Sequence, residues 1–145
     1  TGSGAGATLK VDLAGTAIKV NGATLNVATS ATLSGTANSR SASVTSTTQA
    51  TTARGNVITH AGMYNSTWDG MCLTLSGSFA TKAGANSYAT TITDYKKCLN
   101  ACPTQGSVTF VGVANTLTIT YSGGRSAKLV VNGGAAQDVN LLCNG

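Results

Sequence analysis

The chain has 145 residues, of which 9% are charged; its four acidic residues are all aspartate (Asp12, Asp69, Asp94, Asp138), and it has one histidine, His60. Acid–base catalysis needs clustered titratable groups, so this composition points away from an enzyme. The net charge of +5 comes from dispersed Lys and Arg, with none of the basic stripe and interleaved aromatics of a nucleic-acid binder, and no apolar run reaches the ~18 residues that cross a bilayer.

In chain order, the first feature is a leader of small residues, 1–7, with no initiator Met, which reads as a matured or trimmed chain. Leu9, Val11 and Leu13 then alternate with Lys10 and Asp12, the period-2 pattern of a half-buried strand. Residues 17–20 continue in β-favouring residues up to Asn21-Gly22, a two-residue hairpin signal. Residues 24–28 return with Leu25 and Val27 on one face. The Ser/Thr/Ala-dominated stretch 30–53 reads either as two thin strands, 31–36 and 41–48, or as a partly ordered loop.

Farther along, Met71, Leu73, Leu75, Gly77 and Phe79 share one face, opposite Cys72, Thr74, Ser76 and Ser78. Residues 71–80 and 88–95 form the arms of a hairpin around 82–86. Further strands are expected at 108–113, 117–121, 127–131 and 137–143, separated by turns at 122–125 and 132–134. The one helical candidate is a single turn over 94–101 that sets Cys98 and Cys102 on one face ahead of Pro103, the lone proline. Strands at this spacing with Gly-rich turns predict an all-β protein with little or no helix: an antiparallel β-sandwich, Ig-like or jelly-roll-like, in one extracellular domain spanning 1–145.

Cys72, Cys98, Cys102 and Cys143 form an even set without the paired short spacings of a zinc site, so they read as disulfides of a secreted protein. In the 71–80/88–95 hairpin Cys72 falls opposite Lys96, close to Cys98. That register favours Cys72–Cys98 and leaves Cys102–Cys143 to pin the C-terminal strand. The alternative pairing is Cys98–Cys102 with Cys72–Cys143.

Residues 63–70 form the most distinctive local patch. Tyr64, Asn65, Trp68 and Asp69 combine aromatic platforms with amide and carboxylate groups, the set a sugar needs for stacking and hydrogen bonding. The competing reading makes Trp68 a core anchor. Asn65-Ser66-Thr67 also matches the N-glycosylation acceptor pattern at Asn65. His60 lies near Asp69 and several serines, but nothing resembles a nucleophile elbow, and it reads as a structural histidine. No metal ligands, calcium loop or cofactor motif are found, so no catalytic, metal or cofactor residue is assigned. Thr91/Thr93 and Thr116/Thr118/Thr120 form Thr-x-Thr pairs of the kind that order water on ice-binding faces, without a fixed repeat period.

Residues 1–14, with Leu9, Val11 and Leu13 as their alternate apolar side chains, suit a strand donated to or exchanged with a neighbouring copy; the same residues also suit a first strand paired within its own chain. In its β-richness, its low charge and its Thr, Ala and Gly content the chain is similar to donor-strand pilus subunits. That resemblance implies a secreted subunit that polymerises head to tail. The functional expectation is a structural subunit of an extracellular filament or surface appendage whose partners are copies of itself. The alternatives are a monomeric carbohydrate-binding or adhesin module that contacts host or surface glycans, and an ice-binding protein.

Overall fold

A computed structural model describes residues 6–143. Ten strands follow one another: β1 (Ala7–Val20), β2 (Ala23–Gly35), β3 (Arg40–Thr51), β4 (Val57–Trp68), β5 (Cys72–Ala83), β6 (Asn86–Cys98), β7 (Pro103–Val111), β8 (Thr116–Tyr121), β9 (Ser126–Val131) and β10 (Gln137–Asn140). Each pairs antiparallel with the next, in a single up-and-down sheet whose spatial order is the chain order. No helix occurs among the described residues.

Turn chemistry explains this topology. Asn21 and Gly22 both take positive φ, 46° and 81°, the pair of left-handed residues that lets a two-residue turn follow the twist of its strands. Asn132 and Gly133 take positive φ too, 51° and 69°, and open the five-residue connection from β9 to β10, with Gly134 N–H donating to the Val131 carbonyl at 2.9 Å. Such tight reversals join only adjacent antiparallel strands, so the chain returns beside itself nine times.

The strands run longer than the sequence suggests. Residues 9–13 and 17–20 form one strand, β1, because a bulge between Gly15 and Ile18 absorbs the break in alternation. Ala17 sits in that bulge at φ 54°, and its N–H donates to the Asn26 Oδ1 at 2.8 Å. Residues 24–28 and 31–35 likewise merge into β2, and 41–48 lies within β3, so the Ser/Thr/Ala stretch holds the two strands expected as one alternative, each longer than expected, and is not a loop. The helical turn expected over 94–101 is absent: β6 runs through to Cys98, and only residues 99–100 turn. Asp94, at φ 46°, bulges out of β6, and its N–H donates to the Ser76 hydroxyl at 2.9 Å while that hydroxyl donates to the Asp94 carboxylate at 3.1 Å.

Both disulfides expected from register are present, Cys72–Cys98 and Cys102–Cys143. Cys72 stands directly opposite Cys98, two residues beyond the predicted partner Lys96. The hairpin turn is one residue tighter in register than expected, and the Asp94 bulge shifts the ladder by one more.

The all-β, antiparallel, disulfide-stapled architecture is as predicted. The ten strands lie in one sheet, however, and among the described residues no second layer covers it. Among the described residues only Thr90, Pro103 and Ala127 are buried. The chain exposes 9412 Å², whereas a compact monomer of 14.4 kDa exposes roughly 6,800 Å².

Candidate functional site

Because side chains alternate along a strand, the pairing registers fix which residues share a face. One face gathers most of the large apolar side chains, while Val57, Met63, Val111 and Val130 fall on the other. Leu9, Val11 and Leu13 of β1 stand opposite Leu33, Ala31 and Thr29 of β2, and Ala31 stands opposite Val44 of β3, itself opposite Tyr64 of β4. The face continues through Phe79 and Leu75 on β5, Tyr95, Ile92 and Tyr88 on β6, Val108 and Phe110 on β7, and Leu117, Ile119 and Tyr121 on β8. Much of it meets solvent: Leu9, Leu13 and Met71 are exposed by 60–65%, and Val11, Tyr64, Tyr88 and Phe110 are exposed as well.

The opposite face is a lattice of hydroxyls. Ser30, Thr45, Met63, Ser78, Thr91, Thr109 and Thr118 stand side by side across seven strands. A second row holds Ser34, Ser41, Thr67 and Thr74. Lateral bonds tie neighbours together, Ser34 to Ser41 at 2.7 Å and Thr109 to Thr118 at 3.2 Å. The Thr91/Thr93 and Thr116/Thr118/Thr120 pairs expected from the sequence lie on this face, but its extension across β2–β5 was not expected. The signal was the alternation of Ala42, Val44 and Ala50 with Ser41, Ser43, Thr45 and Thr47, which is faint because small residues differ so little in polarity.

Glycines shape the apolar face. Gly62 and Gly77 lie directly across the β4–β5 ladder from Phe79 and Tyr64, and a Cβ on either would collide with those neighbours. Gly106 of β7 lies between Tyr95 and Tyr121, whose rings meet edge to face with centroids 5.3 Å apart. Burial, with the adjacent Tyr121 as a smaller cause, raises the Tyr95 phenol above its ordinary value of 10.0.

The expected glycan residues are only partly brought together. Tyr64 and Trp68 stand on the apolar face of β4, and Trp68 lines a shallow depression of about 280 Å³ with Leu9, Leu33, Arg40 and Ser66. Asn65, one residue from Tyr64, points from the hydroxyl face, where it is exposed between Ser43 and Ser76. Asp69 is engaged in the β4–β5 turn, accepting from the N–H groups of Cys72 at 2.7 Å and Met71 at 3.0 Å. Those two backbone bonds, Cys72 first, hold its carboxyl below the ordinary 3.8.

His60 also lies on the apolar face, its Nδ1 2.8 Å from the Thr81 hydroxyl and its ring 5.6 Å from that of Phe79. The aspartates are scattered: Asp12 beside Lys10, Asp69 in its turn, Asp94 in its bulge and Asp138 paired with Lys128 at 2.8 Å. The Ser30 hydroxyl across the ladder, and then Lys10, hold Asp12 below 3.8. Among the described residues no three His, Cys, Asp or Glu side chains gather into a metal-sized cluster, and no helix is long and apolar enough to cross a membrane.

The residues expected to exchange lie on β1, at one edge of the sheet. Leu9, Val11 and Leu13 pair with β2 of their own chain, and among the described residues the other side of β1 has no strand neighbour. At the far end the edge is β10, four residues long. Residues 1–5 of the small-residue leader lie outside the described residues. No known family, curated protein or solved structure matches this chain.

Proposed function

We propose that the chain is a structural subunit of an extracellular filament or surface appendage, assembled by β-strand complementation between copies. The observation that carries this reading is the construction of β1. It is fourteen residues long and lies at an open edge, where proteins normally place short, charged or covered strands. Its bulge divides it: residues 7–15 hold one register against β2, and residues 18–20 hold another.

The bulge at Ala17 supplies a hinge. Residues 7–15, with Leu9, Val11 and Leu13, peel from β2 while residues 18–20 and the Asn21-Gly22 turn stay in place. The freed strand takes the same register on β2 of a neighbouring copy, and the neighbour's strand passes to a third. A head-to-tail contact of this kind does not close, so it grows a filament. Two intrachain disulfides suit an oxidising, extracellular setting and keep the rest of the sheet intact during exchange.

Negative-stain microscopy tests the reading. The full chain forms filaments, and deletion of residues 1–14 leaves soluble protein that forms none. Filaments from the deleted protein would exclude the donor role.

The in-register hydroxyl lattice supports a second reading, an ice-binding face. Its groups repeat about every 4.8 Å across strands and about 6.7 Å along them. Thermal hysteresis in the full chain, abolished by Thr45→Leu with Thr109→Leu, would favour it over the filament.

A further inference from the structure

We infer that the apolar face is the packing surface for a second copy of this chain, so that two single sheets close into one β-sandwich. The inference rests on the self-assembly reading but uses a different surface from β1 exchange.

Area is the first argument. The chain exposes 9412 Å², about 2,600 Å² more than a compact protein of its mass. A stable interface takes about 800 Å² from each partner. The strands β1–β6, each of 12–14 residues, present a face of roughly 40 by 29 Å, enough for such an interface with one partner.

Charge is the second. Lys10, Asp12, Lys19, Lys82, Lys96 and Lys128 all fall on the hydroxyl face by register. The apolar face carries only Arg40, opposite Trp68, and Lys97, opposite Leu73. Both stand at the same end of the sheet, so its centre is free of formal charge. Repulsion between these cations sets the two-fold axis across the strands, which carries each copy's Arg40–Lys97 end over the opposite end of its partner.

A bilayer is the competing cover for an apolar face, and the open edges argue against it. Unpaired strand edges are not tolerated in hydrocarbon. Closure into a barrel would have to pair the fourteen residues of β1 with the four of β10. A second copy needs no closure. It also meets the hydroxyls of Ser46 and Thr48 on β3 with polar groups of its own, which lipid tails lack.

Sedimentation velocity on the intact, disulfide-bonded chain tests the proposal. The smallest species at micromolar concentration has twice the monomer mass. Val44→Lys, at the centre of the apolar face, weakens the dimer roughly a hundredfold or more, because it buries an unpaired charge; Thr45→Lys, on the other face, leaves it unchanged. A wild-type monomer, or an undiminished Val44→Lys dimer, overturns the inference. Should Val44→Lys fail to fold, radical footprinting of the wild type decides: Phe79 and Tyr88 are protected at high concentration and labelled on dilution, and labelling at both concentrations overturns the dimer. Co-flotation of the monomer with phosphatidylcholine vesicles would assign the face to lipid and also overturn it. Amine cross-links joining Lys97 to Lys97 within the dimer would overturn the axis. A dimer that never forms filaments removes β1 exchange alone, whereas filaments built from monomers remove the sandwich alone.

Discussion

Cys72 and Cys98 stand directly across from each other on β5 and β6, so their disulfide fastens the ladder at the end opposite the 84–85 turn. It closes a hairpin whose two arms are already paired. Cys102–Cys143 spans 41 residues and ties the segment after β10 back to the loop before β7. The loop-entropy estimate assigns about 3–4 kcal/mol to each bridge. Replacing either pair by Ala should therefore lower the melting temperature by roughly 7–14 °C. Calorimetry checks this; a change within 2 °C for either pair would mean that its bridge does not constrain the unfolded chain.

Gly106 is a place where the apolar face is sensitive to a single methyl group. Its φ of 100° lies outside the range L side chains favour, and a Cβ there would run into the Tyr95 backbone. Gly106→Ala should cost about 2–3 kcal/mol, from left-handed strain plus crowding. It should also separate the Tyr95 and Tyr121 rings. Urea unfolding gives the first quantity, and near-ultraviolet circular dichroism reports the second. Unchanged stability would place the strain elsewhere.

Titration of Tyr95 gives a pH prediction with a definite sign. Its folded pKa is raised above 10.0, so the folded state retains a proton that the unfolded state gives up. The associated stability is complete below pH 10 and declines as pH rises through the folded value. Tyr95→Phe should flatten this alkaline loss. Asp69 acts in the opposite direction. With its pKa held below 3.8 by the Cys72 and Met71 N–H groups, it contributes stability that is present above that value and is lost as pH falls through the lower, folded one. Asp69→Asn keeps an acceptor oxygen in the turn and should reduce the acid sensitivity of the melting temperature. Carbon-detected titration of the Asp69 carboxyl checks the shift directly, and a pKa above 3.8 would contradict it.

The sequence revealed local pairing better than overall arrangement. Asn21-Gly22, the alternation of Leu117, Ile119 and Tyr121, and the Cys72–Cys98 pairing all depend on residues close together on one hairpin, where turn chemistry and period-2 patterning are strong. Two bulges were not legible. Neither Thr16-Ala17 nor Asp94 has a composition that marks it, and their geometry depends on partners across the ladder, Asn26 and Ser76. The same limit hid the shape of the face. Tyr64 and Trp68 read as a cluster with Asn65 because they are neighbours in sequence, yet one residue along a strand is a change of face. A second layer was expected because strands this apolar on one side require cover, and the described residues supply none.

The bulge at Ala17 carries the last prediction, because it is both a strained site and the proposed hinge. Ala17 has φ 54°, a conformation that costs an L residue roughly 1–2 kcal/mol, and its N–H is held by the Asn26 side chain. Asn26→Ala removes that acceptor and should weaken the local structure by about 1 kcal/mol. Amides of residues 7–15 should then exchange with solvent about fivefold faster, while those of β5 and β6 keep their protection. Ala17→Gly should act the other way, since glycine takes a positive φ without penalty; it should steady the bulge and slow release of the strand. If the hinge sets the rate at which β1 is donated, Asn26→Ala shortens the lag before filaments form and Ala17→Gly lengthens it. Hydrogen exchange and light scattering on the same two variants separate the claims: altered exchange with an unaltered lag would keep the bulge as a weak point but remove it from assembly.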